Sequence, residues 1–182
     1  FGYLGDGGLA IQARLAYPDG VAVFPDGSFV IADANNGRVR RVGPNGLITT
    51  IAGGGSCGNI SCGDGGPAAQ AKIDYPQDVA VTIDGSVLVT DYSGDRIRRI
   101  GPDGIITTIA GGGNCVGNNC GDGDLATQAK LSSPESITTT TDGSKLISDY
   151  SNRIRKVSLD GVITTIVGNG GQGFSGDGGP AT

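Results

Sequence analysis

The chain has 182 residues, enough for a domain with a substantial core, and 35 of them are glycine. Its net charge is −5, and an acidic chain is poorly suited to binding nucleic acid or an anionic membrane through bulk electrostatics, so neither partner is predicted. It has no histidine, which removes the commonest general base and metal ligand, and no apolar run long enough for membrane insertion.

The first feature along the chain is a glycine-rich motif that marks an internal repeat. The sequence GDGG, or GDGD in one copy, recurs in steps of 58, 58 and 55 residues at Gly5, Gly63, Gly121 and Gly176. The stretches between these motifs also agree, as YPDGVAVFPDG from Tyr17 does with YPQDVAVTIDG from Tyr75. A period of this size indicates a repeat architecture built from equivalent structural units.

Each unit is predicted to form four short antiparallel strands. Residues with β-branched side chains dominate the strand segments, and Asp-Gly or Asn-Gly turns, which tolerate positive φ, separate them. In the first unit the strands are predicted at Val21–Val23, Phe29–Ala32, Arg38–Val42 and Leu47–Ala52. Four strands in a unit of this length are typical of a propeller blade.

The order of motifs in each unit resembles the NHL repeat of β-propellers. The stretch PDGVAVFPDGSFVIADANNGRVRRV, from Pro18, contains an Asp-Gly turn, an aliphatic strand ending in Asp and an Arg-hydrophobic-Arg strand. The resemblance implies an all-β fold of three consecutive four-stranded antiparallel blades with short helical turns between them, half of a six-bladed ring. Within one propeller segment, 1–182, we expect blades at about 17–62, 75–120 and 133–175, and glycine-rich segments at 1–16, 53–74, 111–132 and 168–182.

The glycine-rich segment after each fourth strand is predicted to connect consecutive blades. It lacks the lysine and hydroxyl of a Walker A loop, and a dinucleotide fold needs parallel βαβ units, so no phosphate site is predicted. Pro67 stands at a suitable first helical position, and Ala68, Ala71 and Ile73 form a short apolar stripe after it. We expect this stripe to fill the seam between two blades.

Two pairs of cysteines lie in these segments, Cys57 with Cys62 and Cys115 with Cys120, each spaced C-x4-C. We predict one disulfide in each loop, which implies an oxidising compartment. The alternative is a zinc site shared by both loops, but zinc needs its thiolates at about 2.3 Å, and equivalent loops on neighbouring units lie much farther apart. Asn59 begins an Asn-Ile-Ser sequon, is the predicted glycosylation site and agrees with secretion.

Charged residues recur where the second strand of each unit ends and the third begins. The candidates are Asp33, Arg38, Asp91, Arg96, Asp149 and Arg153. These carboxylates could ring a metal or substrate, or each could cap its turn or pair with the arginine across it. We favour the structural role, because repetition in every unit is typical of scaffold residues. Mainly solvated strand faces are expected for the neighbouring Arg40, Arg41, Arg98, Arg99, Arg155 and Lys156.

The third glycine-rich segment contains a further set of oxygen ligands. Asp122 and Asp124 stand beside Asn118 and Asn119, and calcium binds side chains of this kind. An EF-hand loop ends in a bidentate glutamate, whereas Glu135 is the only glutamate in the chain. We therefore predict no metal site and no cofactor, with calcium at this loop as the alternative.

Three blades are fewer than the about four to eight that usually close a propeller. The chain also has no starting methionine and no signal peptide, so we expect a mature or excised part of a longer protein. The partners expected to close the ring are further blades of the same chain or a second copy.

NHL-type propellers serve mostly as rigid platforms whose loops bind partners. The resemblance therefore implies a non-catalytic module, secreted or at the cell surface, that binds protein or glycan through its rim loops and acts as a scaffold. One alternative is a fragment of a metal-dependent propeller lyase or lactonase whose site residues lie in other blades. The other is a structural subunit of an extracellular fibre or surface coat.

Overall fold

The computed structural model describes residues 4–56, 58, 62–114, 120–173 and 176–181. The strands are β1 (Pro18–Val23), β2 (Phe29–Asp33), β3 (Arg38–Val42), β4 (Ile48–Gly53), β5 (Pro76–Val81), β6 (Val87–Asp91), β7 (Arg96–Ile100), β8 (Ile106–Gly111), β9 (Pro134–Thr139), β10 (Lys145–Asp149), β11 (Arg153–Val157) and β12 (Ile163–Val167). Short 3₁₀ turns lie at Ala10–Gln12, Ala34–Asn36, Ala68–Gln70 and Ala126–Gln128. Within these residues no helix has the length and hydropathy of a membrane span.

The strands form three separate four-stranded antiparallel sheets, each in simple chain order. We call β1–β4 blade 1, β5–β8 blade 2 and β9–β12 blade 3. Strand β1 packs beside β5, and β5 packs beside β9, so the first strands of the blades are neighbours. This is the arrangement of strands around a propeller axis. The all-β prediction of three consecutive propeller blades is confirmed.

The first strand of each blade begins earlier than the apolar pattern indicates. β1 starts at Pro18 rather than Val21, because the pairing with β2 shifts register between these two residues. The same irregularity occurs between Pro76 and Val79 in blade 2. A bulge re-aims the side chains that precede it, and here it brings a polar stretch to the start of the innermost strand.

Apolar side chains between neighbouring blades form the core. One buried cluster joins blades 1 and 2 and contains Phe24 and Val39 from the first blade and Ile106 from the second. Another joins blades 2 and 3 and contains Leu88 and Ile147. Burying a side chain of this size stabilises the fold by about 1.5–3 kcal/mol, so these seams hold the blades side by side.

The glycine-rich segment enters each seam. Ala68, Ala71 and Ile73 are buried in the cluster between blades 1 and 2, which confirms the predicted role of this stripe. The segment packs so tightly that a Cβ on Gly55 would lie 1.8 Å from the carbonyl oxygen of Gln70. Only glycine is tolerated at such a close backbone approach.

The same segment covers the outer edge of the following blade. The Gly65 amide donates a hydrogen bond of 2.8 Å to the Ile106 carbonyl, and the Ile106 amide donates one of 3.1 Å to the Gly66 carbonyl. Equivalent bonds join the GDGG motifs of the other two blades to Ile48 and Ile163. The outermost strand is therefore paired on both sides, which protects an edge that could otherwise aggregate.

Candidate binding surface at the loop end of the blades

Each blade has two ends with different chemistry. The tight hairpin turns between its first and second strands and between its third and fourth strands lie at one end, which we call the turn end. The start of the first strand, the turn between the second and third strands and the point where the glycine-rich segment leaves the fourth strand lie at the other, which we call the loop end. All six predicted charged residues lie at the loop end, paired in register as Asp33 with Arg38, Asp91 with Arg96 and Asp149 with Arg153.

The three aspartates hold the incoming chain against the turn. Asp33 is fully buried, and its Oδ1 accepts a hydrogen bond of 2.8 Å from the Ala16 amide while its Oδ2 accepts one of 2.8 Å from Asn36 Nδ2. Asp91 accepts from the Asp74 amide at 2.9 Å, and Asp149 accepts from the Ser132 amide at 3.2 Å. Each carboxylate therefore satisfies the backbone of the segment that enters its blade.

Asp33 and Asp91 each form an ion pair with an arginine that stands two residues after the one opposite them in register. Arg40 Nη1 lies 3.4 Å from Asp33 Oδ2, and Arg98 Nη1 lies 3.4 Å from Asp91 Oδ2. Arg38 instead donates to the Asn36 carbonyl at 2.8 Å. Arg153 donates in the same way to the Ser151 carbonyl at 3.1 Å. Arg38 and Arg153, which lie opposite Asp33 and Asp149, thus tie the backbone of the turn in blades 1 and 3.

The second arginine of each third strand is buried, which corrects the expectation of solvated strand faces. Arg40 and Arg98 are fully buried, and Arg155 is nearly so. Their guanidinium groups bind the aspartate of the GDGG motif: Arg40 to Asp6 at 2.6 Å, Arg98 to Asp64 at 2.7 Å and Arg155 to Asp122 at 2.5 Å. A buried charge is stable only when paired, so each pair fixes a glycine-rich segment to its blade.

The basic residue that follows each buried arginine is closer to the expectation of a solvated strand face. Arg41, Arg99 and Lys156 are partly exposed, and each pairs with a turn-end aspartate, respectively Asp26, Asp84 and Asp142. The pKa of Asp84 is held well below its usual value, first by the hydrogen bond from the Thr82 hydroxyl and then by Arg99. These exposed pairs lie on the surface of the turn end, and each contributes little to stability.

A row of three aromatic rings lies at the loop end of blades 2 and 3. The ring of Tyr92 lies 5.8 Å from that of Tyr75 and 6.2 Å from that of Tyr150, with interplanar angles of 60° and 82°. We call these residues the tyrosine row. Edge-to-face rings at these distances attract each other, and the outermost, Tyr150, is 61% exposed.

Sequence reasoning missed the tyrosine row, although a signal was present. Tyr92 and Tyr150 both follow a strand-ending aspartate in the sequence DYS, whereas Ala34 stands at that place in blade 1. The row is therefore confined to blades 2 and 3 and is not repeated in blade 1.

A tyrosine phenol is neutral at physiological pH, and the surroundings of Tyr150 favour this form further. The pKa of Tyr150 is raised above 10.0, first by the charge and hydrogen bonding of Tyr92 and further by Glu135. A neutral phenol retains its proton at physiological pH and can donate it in a hydrogen bond.

Carboxylates join blades 2 and 3 next to the tyrosine row. Asp78 Oδ2 accepts hydrogen bonds from the Ser136 hydroxyl at 2.7 Å and from the Ile137 amide at 2.9 Å. Asp95 Oδ1 accepts one from the Ser133 amide at 2.7 Å. The two blades therefore present their loops at a fixed spacing.

The cysteine segments are described only in part. Cys62 and Cys120 are each disulfide-bonded, and the described residues contain no free thiol. Cys57, Cys115 and the sequon residue Asn59 lie outside the described residues, so the pairing within each loop and the glycosylation stay predictions.

The described residues contain no group of three histidine, cysteine, aspartate or glutamate side chains that could hold a metal ion. Asp122, one of the candidate calcium ligands, uses its carboxylate to bind Arg155. The neighbouring candidates Asn118 and Asn119 lie outside the described residues.

Three four-stranded blades with neighbouring first strands and repeated Asp–Arg ties define an NHL-type β-propeller. The NHL repeat family matches residues 15–42, and the family described as the teneurin NHL domain matches residues 54–118 and 112–176. The chain belongs to the teneurin NHL-domain family.

Relatives and solved structures agree with this assignment. Teneurin-m of Drosophila melanogaster is 29% identical over 174 residues, which cover 89% of this chain but only 6% of that protein. A protein of unknown function from Bacteroides thetaiotaomicron has a similar structure, with a TM-score of 0.63, 20% identity and coverage of 85% of this chain and 36% of that one. Virginiamycin B lyase from Staphylococcus aureus matches with a TM-score of 0.53, 18% identity and coverage of 82% and 41%. At these identities the two structures bear on the fold alone.

Proposed function

We propose that the chain is an extracellular, non-catalytic propeller module that binds protein or glycan partners through the loop end of blades 2 and 3. The tyrosine row carries this proposal. Tyrosine offers a large, rigid and amphipathic contact area at low entropic cost, and it is enriched at protein interfaces. The exposed ring of Tyr150 and its neutral phenol supply both an apolar face and a hydrogen-bond donor.

The hydrogen bonds that fix blade 2 to blade 3 near the tyrosine row support a binding role. Asp78 and Asp95 link blade 2 to blade 3 by hydrogen bonds of 2.7–2.9 Å, at the same end of the blades as the aromatic rings. A surface already held in its bound geometry loses less entropy when a partner binds. The first residues of the glycine-rich segments extend this surface, and the buried arginine pairs hold the GDGG part of each segment against its blade.

Three observations support an extracellular location. Cys62 and Cys120 are disulfide-bonded, and disulfides persist mainly in oxidising compartments. The sequon at Asn59 is compatible with secretion, and the chain belongs to the teneurin NHL-domain family. We propose a disulfide within each loop and a glycan at Asn59, and intact mass before and after reduction and deglycosylation tests both.

Further blades of the same chain, or a second copy, are proposed to cover the outer face of blade 1. Val21 is 58% exposed there, whereas Val79, its equivalent in blade 2, is 4% exposed because blade 1 covers it. A stable monomer of the 18.1 kDa chain in solution that melts cooperatively would argue against a second copy.

Substitution of Tyr150 tests the binding role. The chain is presented to a panel of immobilised oligosaccharides and a panel of purified extracellular protein domains, and each hit is re-measured with Tyr150→Ala and with Tyr17→Ala. Tyr17 is a matched control, since it is 67% exposed and occupies the place of Tyr75 in blade 1, outside the row. Loss of an interface tyrosine costs about 1–2 kcal/mol, so Tyr150→Ala should weaken binding roughly 5- to 30-fold and Tyr17→Ala should not.

The two panels distinguish the two classes of partner. Binding to oligosaccharides alone favours a glycan, and binding that survives enzymatic deglycosylation of the partner domains favours protein. Equal affinities of the Tyr150 and Tyr17 variants for every partner would contradict the proposed site.

A further inference from the structure

A cavity of about 670 Å³ lies in the seam between blades 2 and 3, at the turn end and therefore opposite the tyrosine row. Blade 2 contributes Thr82 and Leu88 to its wall, and blade 3 contributes Thr139, Lys145 and Val157. The cavity has a volume suited to a side chain or a small ligand, and it is open at one side.

An aromatic ring fills the corresponding place in the seam between blades 1 and 2. Phe24, which is equivalent to Thr82 in the repeat, is buried there in one cluster with Val87 and Ile100. The equivalents of these two residues one blade further on are Lys145 and Val157, which line the cavity. The cavity thus lies where the repeat has exchanged a benzyl group for the much smaller threonine side chain.

The arginine that contacts the ring in the first seam has a counterpart in the second. The guanidinium of Arg41 lies 4.3 Å from the centre of the Phe24 ring and 3.2 Å from Asp26. Its equivalent, Arg99, lines the cavity and lies 2.9 Å from Asp84. A cation is therefore present beside the cavity, where it can lie against the face of an aromatic ring.

The mouth of the cavity is unusually apolar for a turn. Ile83 and Leu159 line it and are both strongly exposed. Proline stands at the place of Leu159 in the other two blades and at the place of Ile83 in blade 1. Exposed aliphatic side chains beside a concave site are typical of a surface that contacts a partner.

We propose that this cavity is a docking site for an aromatic side chain, phenylalanine or tyrosine, of a partner protein. The incoming ring takes the place that Phe24 occupies in the first seam, with Arg99 against it, and the partner's flanking chain contacts Ile83 and Leu159. A protein partner is favoured because the apolar residues at the mouth extend the contact beyond the volume of one ring. The site is independent of the tyrosine row, so either can fail without the other.

A titration followed by NMR tests the site with a defined probe. N-acetyl-L-phenylalaninamide is added to ¹⁵N-labelled chain, with N-acetyl-L-leucinamide as the aliphatic comparison. The phenylalanine probe should shift the amide signals of Thr82 and Thr140, and the leucine probe should bind at least several-fold more weakly. Arg99→Gln should lower the affinity for the phenylalanine probe roughly two- to fivefold, whereas Arg41→Gln should leave it unchanged.

Two substitutions of Thr82 make the test specific. Thr82→Phe supplies the missing ring from within and should abolish binding of the probe, whereas Thr82→Val keeps the cavity and should retain binding. Phe24→Thr should open a second site, seen as new shifts in the first seam. Equal binding of both probes, or unchanged binding of the phenylalanine probe to Thr82→Phe, would overturn the proposal.

Discussion

The two consecutive arginines of β7 allow a direct test of what holds the glycine-rich segments to the blades. The side chain of Arg98 is 0% exposed and lies between Asp64 and Asp91, whereas that of Arg99 is 38% exposed and pairs with Asp84. Replacing each by glutamine removes one positive charge from the same strand. The chemistry of the two changes is identical, and only the surroundings differ.

The expected costs differ several-fold. Arg98→Gln leaves the buried carboxylate of Asp91 without its ion-pair partner, and breaking a buried pair in this way costs about 3–5 kcal/mol. Arg99→Gln breaks a pair whose aspartate is 54% exposed, which is worth about 0.2–1 kcal/mol. Since native domains are stable by only about 5–15 kcal/mol, the first change should be severe and the second mild.

Urea unfolding measures the difference. The chain has no tryptophan, so tyrosine fluorescence and far-UV circular dichroism are the two probes, and their agreement checks that unfolding is cooperative. The midpoint should fall by about 1–2 M for Arg98→Gln and by less than about 0.5 M for Arg99→Gln.

Equal midpoints for the two variants would refute the reasoning. If Arg98→Gln does not fold, Asp64→Asn replaces it, because this change removes one partner and leaves Asp91. It should cost more than Asp84→Asn, its exposed counterpart.

Two further predictions concern backbone packing and pH. Gly55→Ala should destabilise the chain by about 2–4 kcal/mol in urea unfolding, because its Cβ would overlap the Gln70 carbonyl, whereas Gly58→Ala, with nothing within 4 Å of the added Cβ, should change stability by less than about 0.5 kcal/mol. The folded pKa of Asp84 lies below the ordinary value of 3.8, so its contribution to stability is present above that value and is lost as pH falls through the folded pKa. The urea midpoint should therefore drop below about pH 4 and drop less in Asp84→Asn; an identical pH profile for the two proteins would contradict this.

The strands and turns could be predicted from the sequence because the residues that indicate them are close together in the chain. Asp26-Gly27 and Asn45-Gly46 mark turns that lie within a few residues of the strands they join, and the predicted Arg38–Val42 strand matches β3 in full. The start of β1 was placed too late because a bulge at Pro18 leaves no alternating apolar pattern to detect.

The two candidate sites were harder to predict. The tyrosine row joins residues from different blades, and the importance of Tyr92 depends on the ring of Tyr150 beside it. In the sequence, the only sign of the cavity is that threonine, at Thr82, stands where blade 1 has Phe24. This difference indicates a cavity only when both residues are known to face a seam between blades.

The sequence by itself determined the repeat, the four strands of each blade and the place of the glycine-rich connectors, since all of these follow from spacing and turn chemistry. Only the tertiary structure decided that Arg98 is buried and Arg99 is not. Alternation along β7 puts the two side chains on opposite faces, but the segment that covers one of them carries Asp64, 34 residues earlier in the chain. Contacts over that distance depend on the path of the connector, because its glycines leave the backbone free until packing against the blade selects one conformation.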